Sequence, residues 1–103
     1  KIGRFCREIQ YGDLLEVEFI KSNLVFEREK VLPIYFIGEK DVSNKVDFCI
    51  DGKILLEIKA KKFITKDDYF QMMRYLKASG MKLGLIVNFR STYLKPKRVI
   101  NLN

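Results

Sequence analysis

Histidine is absent from these 103 residues. That absence removes Ser-His-Asp and Cys-His catalysis and every histidine-ligated metal site. The two cysteines, Cys6 and Cys49, are too few for a zinc ribbon or a disulfide framework. Each stands beside apolar residues and reads as a small buried hydrophobe. No apolar run is long enough to span a bilayer, and no charged-then-apolar leader opens the chain. Neither a GxGxxG pattern nor a Walker-type loop occurs, so nucleotide-cofactor folds have no support. Repeats, low-complexity tracts and linkers are missing as well. What remains for catalysis is carboxylates and lysines, the ingredients of a hard-cation site.

What is present is a globular composition, 48% hydrophobic and 32% charged, in a chain too short for a second core. We therefore expect a single domain over residues 1–103, located in the cytoplasm. Twenty Lys and Arg against 13 Asp and Glu give a net charge of +7. Such a surplus on a small domain points to a polyanionic partner, most often nucleic acid; no membrane partner is expected. The plainer alternative is a basic soluble protein whose charge is incidental.

Apolar residues near helical spacing (Phe5, Ile9, Leu15, Phe19, Ile20) predict a helix from Phe5 to Ser22, ended by Asn23 in a left-handed cap. Gly12 weakens its middle by about 1 kcal/mol relative to Ala. Val25 to Ile37 is strand-like, with Pro33 marking an edge or bend, and Gly38 to Asn44 reads as a loop. Val46–Ile50 and Lys53–Lys59 are short strands around Asp51-Gly52, a hairpin signal. Thr65 and Asp68 form a capping box for a helix whose apolar stripe is Tyr69, Met72, Met73 and Leu76, with Gly80 at its C-terminus. Leu83–Asn88 reads as a buried strand, and Arg98–Asn101 as a short edge strand. A helix between the third and fourth strands allows them to pair in parallel, which gives a mixed sheet with helices on both faces.

Register decides whether the acids can meet. A two-residue turn at Asp51-Gly52 would set Asp47 opposite Leu56, on a face with Ile54, Leu56 and Ile58. A three-residue turn with Gly52 as the left-handed bulge residue shifts the pairing by one. Val46, Phe48, Ile50, Ile54, Leu56 and Ile58 then make one apolar face, and Asp47, Glu57 and Lys59 share the other. The bulged form is the expectation.

Glu57-Ile58-Lys59 puts a carboxylate and an ammonium on one side of a strand. Asp47 is an acid inside an otherwise apolar strand, which is costly unless it is paired or metal-bound. Gln71 and Tyr75 lie four apart on one helix face. Taken singly these are ordinary features of solvated strand and helix faces.

Together they carry a resemblance. Glu8-Ile9-Gln10-Tyr11, Phe26-Glu27-Arg28-Glu29, Leu32-Pro33-Ile34-Tyr35, Val46-Asp47-Phe48, Leu56-Glu57-Ile58-Lys59-Ala60, Gln71-Met72-Met73-Arg74-Tyr75-Leu76 and Leu83-Gly84-Leu85-Ile86-Val87-Asn88-Phe89 follow one another in an order similar to that of the GxxExxY proteins of the PD-(D/E)XK nuclease superfamily. Glu8 and Tyr11 match the acid and the tyrosine of the name motif, while Phe5 stands where the motif has its glycine. The resemblance implies a restriction-endonuclease-like αβββαβ core, a mixed sheet flanked by helices, and dependence on Mg2+ or Mn2+.

It also implies roles. Asp47 and Glu57 resemble the metal-binding acids, Lys59 the active-site lysine and Glu8 the acid supplied by the first helix. Gln71 and Tyr75 resemble a pair that supports the site and contacts DNA. Asp47, Glu57 and the Ile58 main-chain carbonyl would hold the cation, with Glu8 holding a second cation or the water shell of the first. Lys59 would align or deprotonate the attacking water. Lys61, Lys62 and Lys66 after the site strand, and Arg90, Lys95, Lys97 and Arg98 after the last core strand, are candidate phosphate contacts; Tyr93 is a candidate for base stacking. The expected function is a metal-dependent nuclease acting on nucleic acid, DNA first, with a homodimer compatible. The alternatives are an inactive nucleic-acid-binding module of the same fold and an interaction protein.

Overall fold

The computed structural model describes residues 8–32, 45–90 and 95–102. Seven elements follow in order: α1 (Glu8–Lys21), β1 (Phe26–Val31), β2 (Lys45–Ile50), β3 (Ile54–Lys59), α2 (Lys66–Ser79), β4 (Leu83–Asn88) and β5 (Lys97–Ile100). This is the expected αβββαβ core with an added edge strand. The expected helix start at Phe5, the strand beyond Leu32 with Pro33, the loop at 38–44, Cys6 and Tyr93 lie outside the described residues.

Local chemistry ends each helix. At the C-terminus of α1, Asn23 takes a φ of 58°. Its N–H donates to the Ile20 carbonyl at 3.1 Å and the Leu24 N–H to the Phe19 carbonyl at 3.0 Å. This is a Schellman closure, which asparagine tolerates better than most residues. At the start of α2, Thr65 and Asp68 form the full reciprocal capping box, and Gly80 closes the helix in the left-handed region with its N–H on the Leu76 carbonyl.

The strands lie in the order β1-β2-β3-β4-β5. β3 and β4 are parallel, with α2 as the crossover, and the other neighbours are antiparallel. Alternation along the central strands divides the core between two faces. Leu55 and Ile86 point to a cluster with Met72, Tyr75 and Leu76 of α2. Leu56, Ile58 and Val87 point to the opposite cluster with Tyr11, Leu15 and Phe19 of α1. Full burial of side chains such as Phe48, Leu55 and Ile86 stabilises the fold by roughly 1.5–3 kcal/mol each.

The inward stripes differ from the sequence expectation. On α1, Leu15 and Phe19 pack inward as expected, but Ile9 and Ile20 are exposed and Tyr11 is buried with them instead. On α2, Met72, Met73 and Leu76 pack inward as expected, while Tyr69 is exposed and Tyr75 is buried. Three-to-four spacing is satisfied by several overlapping sets on each helix, and contact with the sheet selects among them.

The hairpin has the expected register: Ile50 pairs with Ile54, Cys49 with Leu55 and Phe48 with Leu56. Both Asp51 (φ 60°) and Gly52 (φ 64°) are left-handed, and the Lys53 N–H donates to the Ile50 carbonyl. The two central residues thus make a tight primed-type turn, and Lys53 is the extra residue. One expectation about faces fails. Val46 packs with the α2-side cluster, whereas Phe48, two residues on, packs with the α1 side. The pleat turns over at Asp47.

Gly84 lets α2 approach the sheet, because a Cβ there would lie 2.5 Å from the Sδ of Met72, which is almost wholly buried. Gly84→Ala is expected to destabilise the protein by about 1–3 kcal/mol through overpacking, measured as a lower urea midpoint at unchanged m-value.

Candidate active site

The site lies where the β2–β3 ladder opens. Beyond Phe48↔Leu56 the strands no longer pair regularly; side chains bridge them instead. The Asp47 N–H donates to Glu57 Oε1 at 3.1 Å, and the Ile58 N–H donates to Asp47 Oδ2 at 2.7 Å. Each acid thereby caps the backbone of the opposite strand. On the other side of Asp47, β1 is irregular too. Glu29, which would face Asp47 in the β1–β2 register, has a φ of 53°, a conformation costing a non-glycine residue roughly 1 kcal/mol or more.

This break places Asp47 between two clefts. One, of about 190 Å³ on the α1 side, is lined by Glu8, Gly12, Arg28, Glu29 and Ile58 as well as Asp47. The other, of about 270 Å³ on the α2 side, is lined by Glu29, Lys45, Asp47, Glu57, Gln71 and Tyr75. Glu8 reaches from the first turn of α1 to accept the Ala60 N–H at 3.0 Å. The structure thus brings Glu8, Asp47 and Glu57 around the C-terminal end of β3.

The electrostatics follow from crowding. Glu57 is buried, and desolvation with the neighbouring Asp47 charge pushes its pKa up to about 8. Burial also raises Asp47, with Glu8 adding to the rise and the Ile58 hydrogen bond opposing it. Burial and the negative charges of Glu57 and Asp47 push the Tyr75 hydroxyl up to about 12, so it stays a neutral phenol beside the pair.

Lys59 is held from three sides. Its Nζ donates to Gln71 Oε1 at 3.0 Å, and lies 3.9 Å from Glu57 Oε2 and 3.7 Å from Asp68 Oδ1. Gln71 and Tyr75 therefore face the site, with Gln71 setting the ammonium. Asp68 was legible in the sequence only as a cap, yet it also serves as counter-ion to Lys59 and Lys61. Its spacing from Gln71 and Tyr75, three and seven residues, was the available signal. Burial raises the Asp68 pKa, but hydrogen bonds from Lys61 and Thr65 outweigh it and hold the carboxyl below its ordinary value.

Two candidate DNA contacts separate here. Lys61 binds Asp68 at 2.8 Å, and its backbone is clamped by Asn88, whose amide accepts the Lys61 N–H and donates to the Lys61 carbonyl. Lys62 is exposed, with Nζ 5.9 Å over the Phe63 ring.

Arg28 also emerges only from the fold. It donates to Asp13 at 2.6 Å, Glu16 at 2.9 Å and the Ile9 carbonyl at 3.2 Å, and lies over the Phe48 ring. A Cβ on Gly12 would stand 2.5 Å from its Nη2, so the glycine that weakens the helix makes room for the guanidinium. Arg28 pins α1, and hence Glu8, to the sheet and lowers the negative potential at Asp47.

Among the described residues no three acidic or thiol side chains form a ready-made metal-ligand group. The Asp47–Glu57 pair nonetheless fits a hard divalent cation: both donors are oxygens, both are substantially buried, and their mutual repulsion is what a cation would relieve.

A family model described as the PD-(D/E)XK nuclease superfamily matches residues 1–100. No curated protein and no solved structure matches the chain. No described helix is long and apolar enough to cross a membrane.

The raised Glu57 pKa has a sign. Between the ordinary glutamate value near 4.5 and about 8, the unfolded chain releases a proton that the folded chain keeps. This contribution therefore lowers stability as pH rises through that window. In EDTA, thermal melting from pH 5 to 8 is expected to show a falling limb, and Glu57→Gln to flatten it while still accepting the Asp47 N–H.

Proposed function

The chain belongs to the PD-(D/E)XK nuclease superfamily, whose members are generally nucleases, and from that membership and its site we infer a divalent-metal-dependent phosphodiester hydrolase acting on nucleic acid, with DNA as the first substrate to test. The observation that carries the reading is Lys59. Its ammonium is steered by Gln71 Oε1 at 3.0 Å and stands beside the paired carboxylates of Asp47 and Glu57. The agreement of the quoted motif series with the GxxExxY proteins supports placement in that branch.

Asp47, Glu57 and the Ile58 carbonyl would hold Mg2+ or Mn2+, with Glu8 close enough to contribute. Bound there, the cation supplies Lewis-acid polarisation of a phosphate oxygen and acidifies water. The remaining work belongs to the protein's own groups. Lys59 orients the attacking water and offsets the negative charge that grows on the phosphate as the sugar oxygen leaves. Gln71 restricts Lys59 to one direction, which limits the loss of side-chain freedom on reaching the transition state. Tyr75, neutral over the working pH range, presents a phenol to the same cleft without adding to its negative charge.

The net charge of +7 supports electrostatic capture of the backbone, so affinity should fall as salt rises, with little base preference.

Cleavage of circular and linear DNA, single- and double-stranded, tests the reading. Activity is expected with Mg2+ or Mn2+, little with Ca2+ and none in EDTA. Lys59→Ala should slow it by about 10²–10⁴-fold with an unchanged circular dichroism spectrum. Asp47→Asn, which keeps an acceptor for the Ile58 N–H, should raise the metal concentration needed. Gln71→Ala should cost less than Lys59→Ala. Equal cutting by wild type and Lys59→Ala would refute the site; binding by both with cleavage by neither would favour the inactive module.

A further inference from the structure

We propose that Phe63, in the loop leaving β3, and Phe70, on the outer face of α2, stack the bases of an unpaired strand, so that the preferred substrate is single-stranded nucleic acid. The fate of that strand rests on the nuclease reading above; its binding does not.

Phe63 is 70% exposed and Phe70 53% exposed. Both adjoin the site along the chain: Phe63 follows Lys59 by four residues, and Phe70 immediately precedes Gln71, which turns it about 100° around the helix from the site-facing residue. Cations frame both rings. Lys62 Nζ lies 5.9 Å over Phe63. Lys66 and Arg74 stand one turn before and one turn after Phe70, with Lys77 continuing the stripe. Tyr69 supports Phe70 edge-on, with ring centroids 6.0 Å apart.

Along this stretch of chain acidic groups are few. Asp68 is buried and bound to Lys61, which leaves Asp67 as the exposed carboxylate in the 60–79 stretch. Exposed aromatic rings interleaved with cations match a strand that offers flat bases and phosphates in alternation. Paired duplex presents phosphates but keeps its base faces stacked inside. Lys62, Lys66 and Arg74 would serve either form, whereas the two phenylalanines gain only from unpaired bases.

The test is binding in EDTA, where cleavage cannot intervene. Fluorescein-labelled single-stranded and duplex oligonucleotides of one length are titrated with wild type, Phe63→Ala, Phe70→Ala and the control Val25→Ala, which removes an exposed apolar side chain just before β1, beside the β2–β3 turn. Folding is checked by thermal melting, which two exposed positions should leave unchanged. Wild type should favour the single strand. Each phenylalanine variant should lose about tenfold in single-strand affinity with little change on duplex, and a 2-aminopurine in the oligonucleotide should lose less emission on binding. Val25→Ala should match wild type. A preference of wild type for duplex, equal losses on both forms, or unchanged single-strand binding in the phenylalanine variants would each overturn the proposal. None of these outcomes depends on whether Mg2+ later supports cleavage, so failure of the nuclease reading is seen separately.

Discussion

Two carboxylates that repel each other are held side by side because each is hydrogen-bonded to the backbone of the other's strand. Asp47 accepts from Ile58 N–H and Glu57 accepts from Asp47 N–H. These bonds replace regular strand pairing at the point where the β2–β3 ladder ends. A carboxylate acceptor makes a stronger hydrogen bond than a carbonyl does, and that offsets part of the cost of burying the acids. It removes neither the rest of that burial cost nor the repulsion from Asp47, and the two together push the Glu57 pKa up to about 8. The arrangement stores unfavourable electrostatics at one place, and a cation would release them.

The surrounding elements serve this pair. α1 brings Glu8 to the Ala60 N–H, and its position depends on Arg28, which spans from β1 to Asp13 and Glu16 across the gap left by Gly12. α2 brings Asp68, Gln71 and Tyr75 on one face. The first two hold Lys59 over the acids, and Tyr75 closes the cleft. Asn88, at the end of β4, clamps the chain at Lys61 and so fixes how it leaves the site strand. Parallel pairing of Lys59 with Asn88 makes that clamp possible, since it ends both strands at the same level.

The irregularities gather here as well. The left-handed Glu29, the inverted pleat between Val46 and Phe48 and the open ladder all flank Asp47. A regular sheet would have directed Asp47 to one face only. The break lets it border both clefts, so acids from α1 and from β3 converge on it.

Local signals are legible in the sequence by itself wherever one or a few neighbouring residues carry the physics. Thr65 with Asp68, Gly80, Asn23 and the Asp51-Gly52 turn need no distant partner, and the hairpin register follows from the alternation of apolar residues on its two strands. The order of elements and the parallel β3–β4 pair follow from the same short-range patterns. Tertiary structure decided what depends on contacts between distant segments. Helical spacing permits Ile9 or Tyr11, and Tyr69 or Tyr75, to face inward, and only the sheet's surface chooses between them. Asn88 as clamp and Gly12 as a berth for Arg28 each need a partner far away in the chain, so no local pattern announces them, and Asp68 becomes a counter-ion only once the chain folds back from β3 to α2 and brings Lys59 and Lys61 to it. Val46 changes face because the backbone turns over at Asp47, and a period-two reading has no term for a pleat that a buried charge pair interrupts.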